Sequence, residues 1–192
     1  MVTVLSKPKH RAVIHAALPS AQLVEGIKDL TGGECLIAYG TGVIVPPDVL
    51  ARYKRAYNLH GASPSFPGRD PHHWAAYEGA TQFGATAHVM TALVDDGPIV
   101  GTLLEDVPAG ATPDDYRAVG ERTIAKLFAD LAPAMARGEL APTGMQWGPI
   151  KRARSHMLAM FDFAGLPPDE VQRRRRAFKG FEAHFKTAQP AL

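Results

Sequence analysis

The chain has 192 residues, 46% of them hydrophobic and 21% charged, enough for one good core, so a single domain with an appendage is expected. A formal net charge of +2 argues for neither a nucleic-acid nor a membrane partner, and no apolar run approaches the roughly 20 residues that span a bilayer. The lone cysteine, Cys35, excludes an intrachain disulfide and reads as a small buried side chain. The basic stretch Lys7 to Arg11 precedes an apolar segment too short for a signal peptide, so a soluble cytoplasmic protein is the expectation.

In chain order, Val2-Thr3-Val4-Leu5 and Ala12 to Ala16 read as short strands about a turn at Ser6 to Lys9. Ser20 is placed to cap a helix on which Leu23, Ile27 and Leu30 recur, with Gly32-Gly33 ending it. Cys35 to Tyr39 is an unbroken apolar strand of the kind covered on both faces. Gly40-Thr41-Gly42 follows it without the GxGxxG spacing, so it weighs little for a nucleotide. Pro46-Pro47-Asp48 opens a short helix carrying Val49, Leu50 and Tyr53, and Ala56 to His60 is the next strand. This alternation predicts a parallel sheet, whose ligands sit beyond the carboxyl ends of its strands. Asn58 and His60, two apart on a strand, point to the same side at such an end.

Asp70-Pro71 begins a helix running through Trp74 to about Tyr77. Gly84 to Met90 and Pro98 to Leu104 are strands, and the Asp95-Asp96-Gly97 turn between them predicts an antiparallel hairpin. Thr112-Pro113-Asp114-Asp115 caps a long amphipathic helix whose apolar stripe runs from Tyr116 to Leu131. Beyond Gly138, Pro142 to Trp147 reads as a linker, followed by the basic segment Lys151-Arg152-Ala153-Arg154. A last helix starts at Pro167-Pro168, carries Arg173 to Arg176 and ends near Gly180. Arg175 shares the apolar seam of Val171 and Phe178 there, and is expected to snorkel out of it. The fold class is therefore α/β: a mostly parallel Rossmann-like sheet with an antiparallel hairpin. A main α/β domain is expected over 1–138 and a small helical appendage over 139–192.

Asn58-Leu59-His60 followed by Asp95-x-Gly97-Pro98-Ile99 resembles the Asn-x-His and Asp-x-Gly-Pro-Ile motifs of formyltransferases that use 10-formyltetrahydrofolate. Pro67-Gly68-Arg69-x-Pro71 with Trp74, and Gly84-Ala85-Thr86-Ala87-His88, resemble two further stretches of that family, and the likeness covers about Cys35 to Leu131. It implies that Asn58, His60 and Asp95 are catalytic, Asp95 being preferred to Asp96 because the family aspartate stands two residues before the glycine. An amine would attack the formyl carbon through a tetrahedral intermediate. Asn58 and His60 would hold the oxyanion, and His60 with Asp95 would move protons. The bland alternative is an Asx turn in which both aspartates merely cap the hairpin.

By the same resemblance Tyr39, Gly40, Thr41, Val43, Leu93, Val94 and Gly97 would wall the pterin pocket of the formyl donor. Arg69, His73 and His88 are candidates for substrate contact, with His88 equally able to pack quietly and Arg69 to sit exposed. His72, His73 and His88 lack the paired spacing of a zinc site, so no metal is expected. Two stretches depart from the family. Only 57 residues precede Asn58, where members usually carry a further βαβ portion with a glycine-rich turn, and the loop after His60 reads Gly61-Ala62-Ser63-Pro64. An amino-terminally shortened sheet would present an edge, which favours a homodimer. The expected function is formyl transfer from 10-formyltetrahydrofolate to a primary amine of a small metabolite, an amino sugar being the first choice. Phe83 to His88 also resembles the formyltetrahydrofolate hydrolase strand, which keeps formate release as the rival; a folate-binding remnant is the second rival.

Overall fold

In the computed structural model, which describes residues 1–185, six strands form one sheet in the order β2-β1-β3-β4-β5-β6. β1 (Val2–Leu5), β2 (Gln22–Val24), β3 (Gly33–Tyr39) and β4 (Tyr53–His60) run parallel. β5 (Gln82–Val89) and β6 (Ile99–Asp106) are antiparallel, the first to β4 and the second to β5. Every residue from Cys35 to Tyr39 is buried, as a strand covered on both faces requires. The strand's period of two sends Cys35, Ile37 and Tyr39 into one core with Ile14, Phe128 and Met135. Leu36 goes to the other, with Leu30, Val45 and Val49.

The helices are α1 (Arg11–Ala17), α2 (Pro47–Leu50), α3 (Pro71–Glu78), α4 (Pro113–Arg137), α5 (Arg154–Ala159) and α6 (Pro168–Ala177). α4 starts on a reciprocal capping box between Thr112 and Asp115 and ends on Gly138 at φ 75°, a left-handed cap that glycine adopts without steric cost. Its stripe, including Ile124, Leu127 and Phe128, covers the sheet. Among the described residues no helix is long and apolar enough to cross a membrane.

Four elements differ from the sequence expectation. Ala12 to Ala16, expected as a strand, lies in helix α1, which turns Ile14 into the core while Arg11 and Ala12 face solvent. Gln22–Val24, expected in a helix, pairs in parallel with β1 from Thr3↔Gln22 to Leu5↔Val24. Both segments are too short for periodicity to choose between 2 and 3.6, so unpaired N–H and C=O groups on the edge of β1 decided the second. Together they form a compact βαβ unit in the portion where the sequence suggested none. Tyr53 belongs to β4, not to α2.

The fourth difference lies past α4. The stretch expected to be a linker returns across the sheet's edge, the Thr143 N–H donating to the Ile99 carbonyl at 2.8 Å. Beyond it Met157, Phe161, Ala177 and Phe178 complete a second apolar cluster with Phe66, Trp74, Phe83 and Tyr116. Arg175 is exposed, as expected of a snorkelling side chain, with its guanidinium 4.9 Å from the centre of the Phe163 ring.

Candidate active site

The carboxyl end of β4 builds the site. Leu59 points into the core under α4, which leaves Asn58 and His60 half-buried on the opposite face. Antiparallel pairing sets His88 of β5 directly opposite Asn58, and the Asn58 amide nitrogen lies 3.0 Å from His88 Nε2. His88 Nδ1 lies 2.9 Å from the Val89 carbonyl and donates to it, while Nε2 faces the Asn58 amide. Among the described residues the other amide N–H of Asn58 has no partner.

Asp95 stands in the turn between β5 and β6, 3% exposed, with φ 45°. Its Oδ2 accepts the Gly68 backbone N–H at 2.8 Å and lies 3.5 Å from His60 Nδ1; its Oδ1 lies 3.4 Å from His88 Nε2. His60 Nε2 in turn lies 3.0 Å from the Phe66 carbonyl, so both of its ring nitrogens face oxygens. Burial by itself would push the Asp95 carboxyl up. The neighbouring His60, the hydrogen bonds from His88 and Gly68 and the charge of His88 outweigh it and hold the group at about 2. Asp70 at φ 57° is the other non-glycine residue in the left-handed region among those described, and both border the same cavity.

That cavity encloses about 770 Å³, within the range of small-molecule sites. Thr41 to Val45 and Thr91 to Asp95 form two walls, Gly68 to Pro71 a third and Lys151 to Ala153 a fourth, with Asn58, His60 and His88 also lining it. Ile44, Leu93 and Val94 are exposed apolar side chains on the first two walls.

Of the residues singled out from the sequence, Asn58, His60, Asp95, Thr41, Val43, Leu93, Val94, Arg69 and His88 therefore line one cavity. Four do not. Tyr39 is buried against Phe128 with ring centres 4.5 Å apart, because the strand's alternation turns it into the core. Gly40, at φ 57°, packs its Cα against the His10 ring. Gly97 lies against the Val89 carbonyl, a close approach that leaves no room for a side chain and lets the hairpin close behind Asp95. His73 is the largest departure: it is 3% exposed in the second apolar cluster region, its Nδ1 2.7 Å from the Ala177 carbonyl, and burial lowers its pKa. Its position on α3 turns it towards α6. Lys151 to Ala153 were read only as a basic stretch, and their part in the cavity carries no local signal.

The titration of Asp95 predicts an acid sensitivity. Its folded value of about 2 lies below the ordinary 3.8, so the stabilisation is complete above 3.8 and is lost as pH falls through about 2. The difference corresponds to roughly 2 kcal/mol. Urea unfolding should show wild type more stable than Asp95→Asn near neutral pH by up to that amount, with the gap closing towards pH 2. A gap that stays constant over this range would contradict the ion-pair account.

The formyl transferase family model matches residues 4–127. A methionyl-tRNA formyltransferase of Myxococcus xanthus is 27% identical over 205 residues, covering 96% of this chain and 62% of the relative. A formyltetrahydrofolate deformylase of Synechocystis is 40% identical over 58 residues, 30% of this chain and 20% of the relative. The chain thus spans less than two thirds of the length of these curated relatives. The formyltransferase PseJ of Anoxybacillus kamchatkensis superimposes with a TM-score of 0.71 at 21% identity, covering 91% of this chain and 97% of that one. A 4-N formyltransferase of Francisella tularensis gives 0.73 at 14%, covering 92% and 86%.

Proposed function

This chain belongs to the formyl transferase family, and on that premise we propose that it moves a formyl group from 10-formyltetrahydrofolate to a primary amine of a small metabolite. The observation that carries the reading is the convergence of Asn58, His60, His88 and the buried Asp95 carboxylate at one cavity. The donor would supply an activated formyl carbon on N10. Its ring system suits the exposed apolar walls at Ile44, Leu93 and Val94, beside which the polar cluster lies.

The residues then divide the work. The Asn58 amide N–H that His88 leaves open presents a donor to the oxygen that gains charge as the amine adds, worth about 3–4 kcal/mol in a comparable site, and the His60 ring joins it by exchanging its contact with the Phe66 carbonyl for that oxygen. The new bond joins the amine nitrogen to the formyl carbon and the bond from that carbon to N10 breaks. The amine's proton passes through His60, held by Asp95, and ends on N10. Asp95 orients His60 and stabilises its cationic form.

For the acceptor we propose an amino sugar, the class that the Anoxybacillus kamchatkensis neighbour holds with tetrahydrofolate as a UDP-linked formamido sugar. The stretch shared with the Synechocystis deformylase supports a second reading, in which water replaces the amine. Incubation with 10-formyltetrahydrofolate and a panel of amines, nucleotide-linked amino sugars included, separates them. Formylated amine is the expected product. Formate released at the same rate with and without amine would replace transfer by hydrolysis, and folate binding with neither product would leave a non-catalytic remnant.

A further inference from the structure

The stretch 139–153 is tied to the turn between β5 and β6, to the start of β6 and to the loop between β4 and α3. After Thr143 has joined the edge at Ile99, the Trp147 indole N–H donates to the Gly97 carbonyl at 2.9 Å. Gly148 N–H then donates to the Pro64 carbonyl at 2.9 Å and Arg152 N–H to the Pro67 carbonyl at 3.0 Å, while Arg69 N–H returns a bond to the Arg152 carbonyl at 2.8 Å. A Cβ on Gly148 would stand 2.6 Å from the Ser65 carbonyl oxygen, so the two backbones meet closer than any other residue type permits. These bonds pin the loop that supplies Gly68, whose N–H holds Asp95.

Trp147 occupies the centre of this strap. Its ring stands edge-on to His88 with centres 5.0 Å apart at 86°, and to His60 at 6.0 Å and 69°. Its nitrogen grips the peptide two residues after Asp95. One half-buried indole therefore touches both imidazoles and the turn that carries the carboxylate, without itself lining the cavity.

We propose that Trp147 is a positioning residue that sets the mutual geometry of His60, His88 and Asp95. The strap thereby becomes part of the catalytic machinery and not a tether to an appendage. Side chains in edge-on aromatic contact have a restricted orientation, and the Gly97 bond restricts the hairpin in the same stroke. A residue acting this way governs the chemical step more than substrate affinity, because displacements of about 1 Å cost on the order of 100-fold in rate.

The inference rests on the formyl-transfer reading for its kinetic test, so a second measurement is independent of activity. In Trp147→Ala, kcat should fall about 10- to 100-fold while KM for 10-formyltetrahydrofolate stays within about threefold. Trp147→Phe, which keeps a ring but loses the bond to Gly97, should fall between that variant and wild type. The imidazole proton resonances of His60 and His88 should move in Trp147→Ala, and that of His15 on α1 should not. Wild-type kcat in a folded Trp147→Ala overturns the proposal, as do unmoved His60 and His88 resonances. If Trp147→Ala does not fold, wild-type kcat in Trp147→Phe overturns it equally. Moved resonances in a protein whose wild type transfers no formyl group would sink the proposed reaction while upholding the contact.

Discussion

Asp95→Asn is expected to lower kcat for formyl transfer by about 1,000-fold with little change in donor affinity. The substitution keeps an acceptor for the Gly68 N–H but removes the charge that faces both His60 and His88. His60 then loses the anion that stabilises its cationic form midway through proton transfer. The adjacent Asp96 makes the contrast informative. It is exposed and pairs at 3.0 Å with Lys151, 39% exposed, an arrangement in which solvent screens most of the attraction. Asp96→Asn should therefore leave the rate nearly unchanged. Steady-state kinetics on the two variants decide the matter, and a loss below about tenfold for Asp95→Asn would remove that residue from the chemistry.

The largest effect on stability is expected at Phe178. Its side chain is fully buried and its ring lies 5.1 Å from Trp74, 5.8 Å from Phe161 and 5.9 Å from Tyr77, centre to centre. Truncation to alanine leaves a cavity among aromatic rings that cannot collapse into it, at a cost of about 3–5 kcal/mol. For a chain of this length that lowers the thermal midpoint by roughly 10 °C. The cluster joins α3 and α4 to the carboxyl-terminal helices, so wild type should unfold in one transition and the variant should lose both parts together. A drop under about 1 kcal/mol, or two resolved transitions, would make residues after 138 an independent unit.

Much of this site was readable from local chemistry. Asn58 and His60 share a strand face because a strand's side chains alternate, and the turn at Asp95-Asp96-Gly97 closes a hairpin because Gly97 admits the Val89 carbonyl where a Cβ would clash. The long helix was equally plain, since a capping box and several turns of apolar stripe cannot be read at another period. His88 was named but left undecided. Its role depends on facing Asn58 across the β4–β5 pair, a register that only the folded hairpin displays.

Elsewhere local chemistry was silent or misleading. Arg11–Ala17 and Gln22–Val24 are each shorter than the window over which period identifies an element, and pairing with β1 chose for the second. His73 looked like a pocket residue by its place beside Trp74. The packing of α6 onto α3 buried it instead against the Ala177 carbonyl. Trp147 contacts a carbonyl 50 positions earlier, and no pattern within a helix or strand encodes such a contact.

The sequence by itself determined the mostly parallel sheet and the hairpin, because these follow from alternation and turn chemistry within a few residues, while the trio Asn58, His60 and Asp95 was singled out by its resemblance to the formyltransferase motifs. Tertiary structure decided what surrounds them: the βαβ unit at the start, the second imidazole on Asp95 and the strap that carries Trp147 over the pair. Those features depend on which distant segments can bury apolar surface and satisfy backbone groups together, and that choice is made by the whole chain at once.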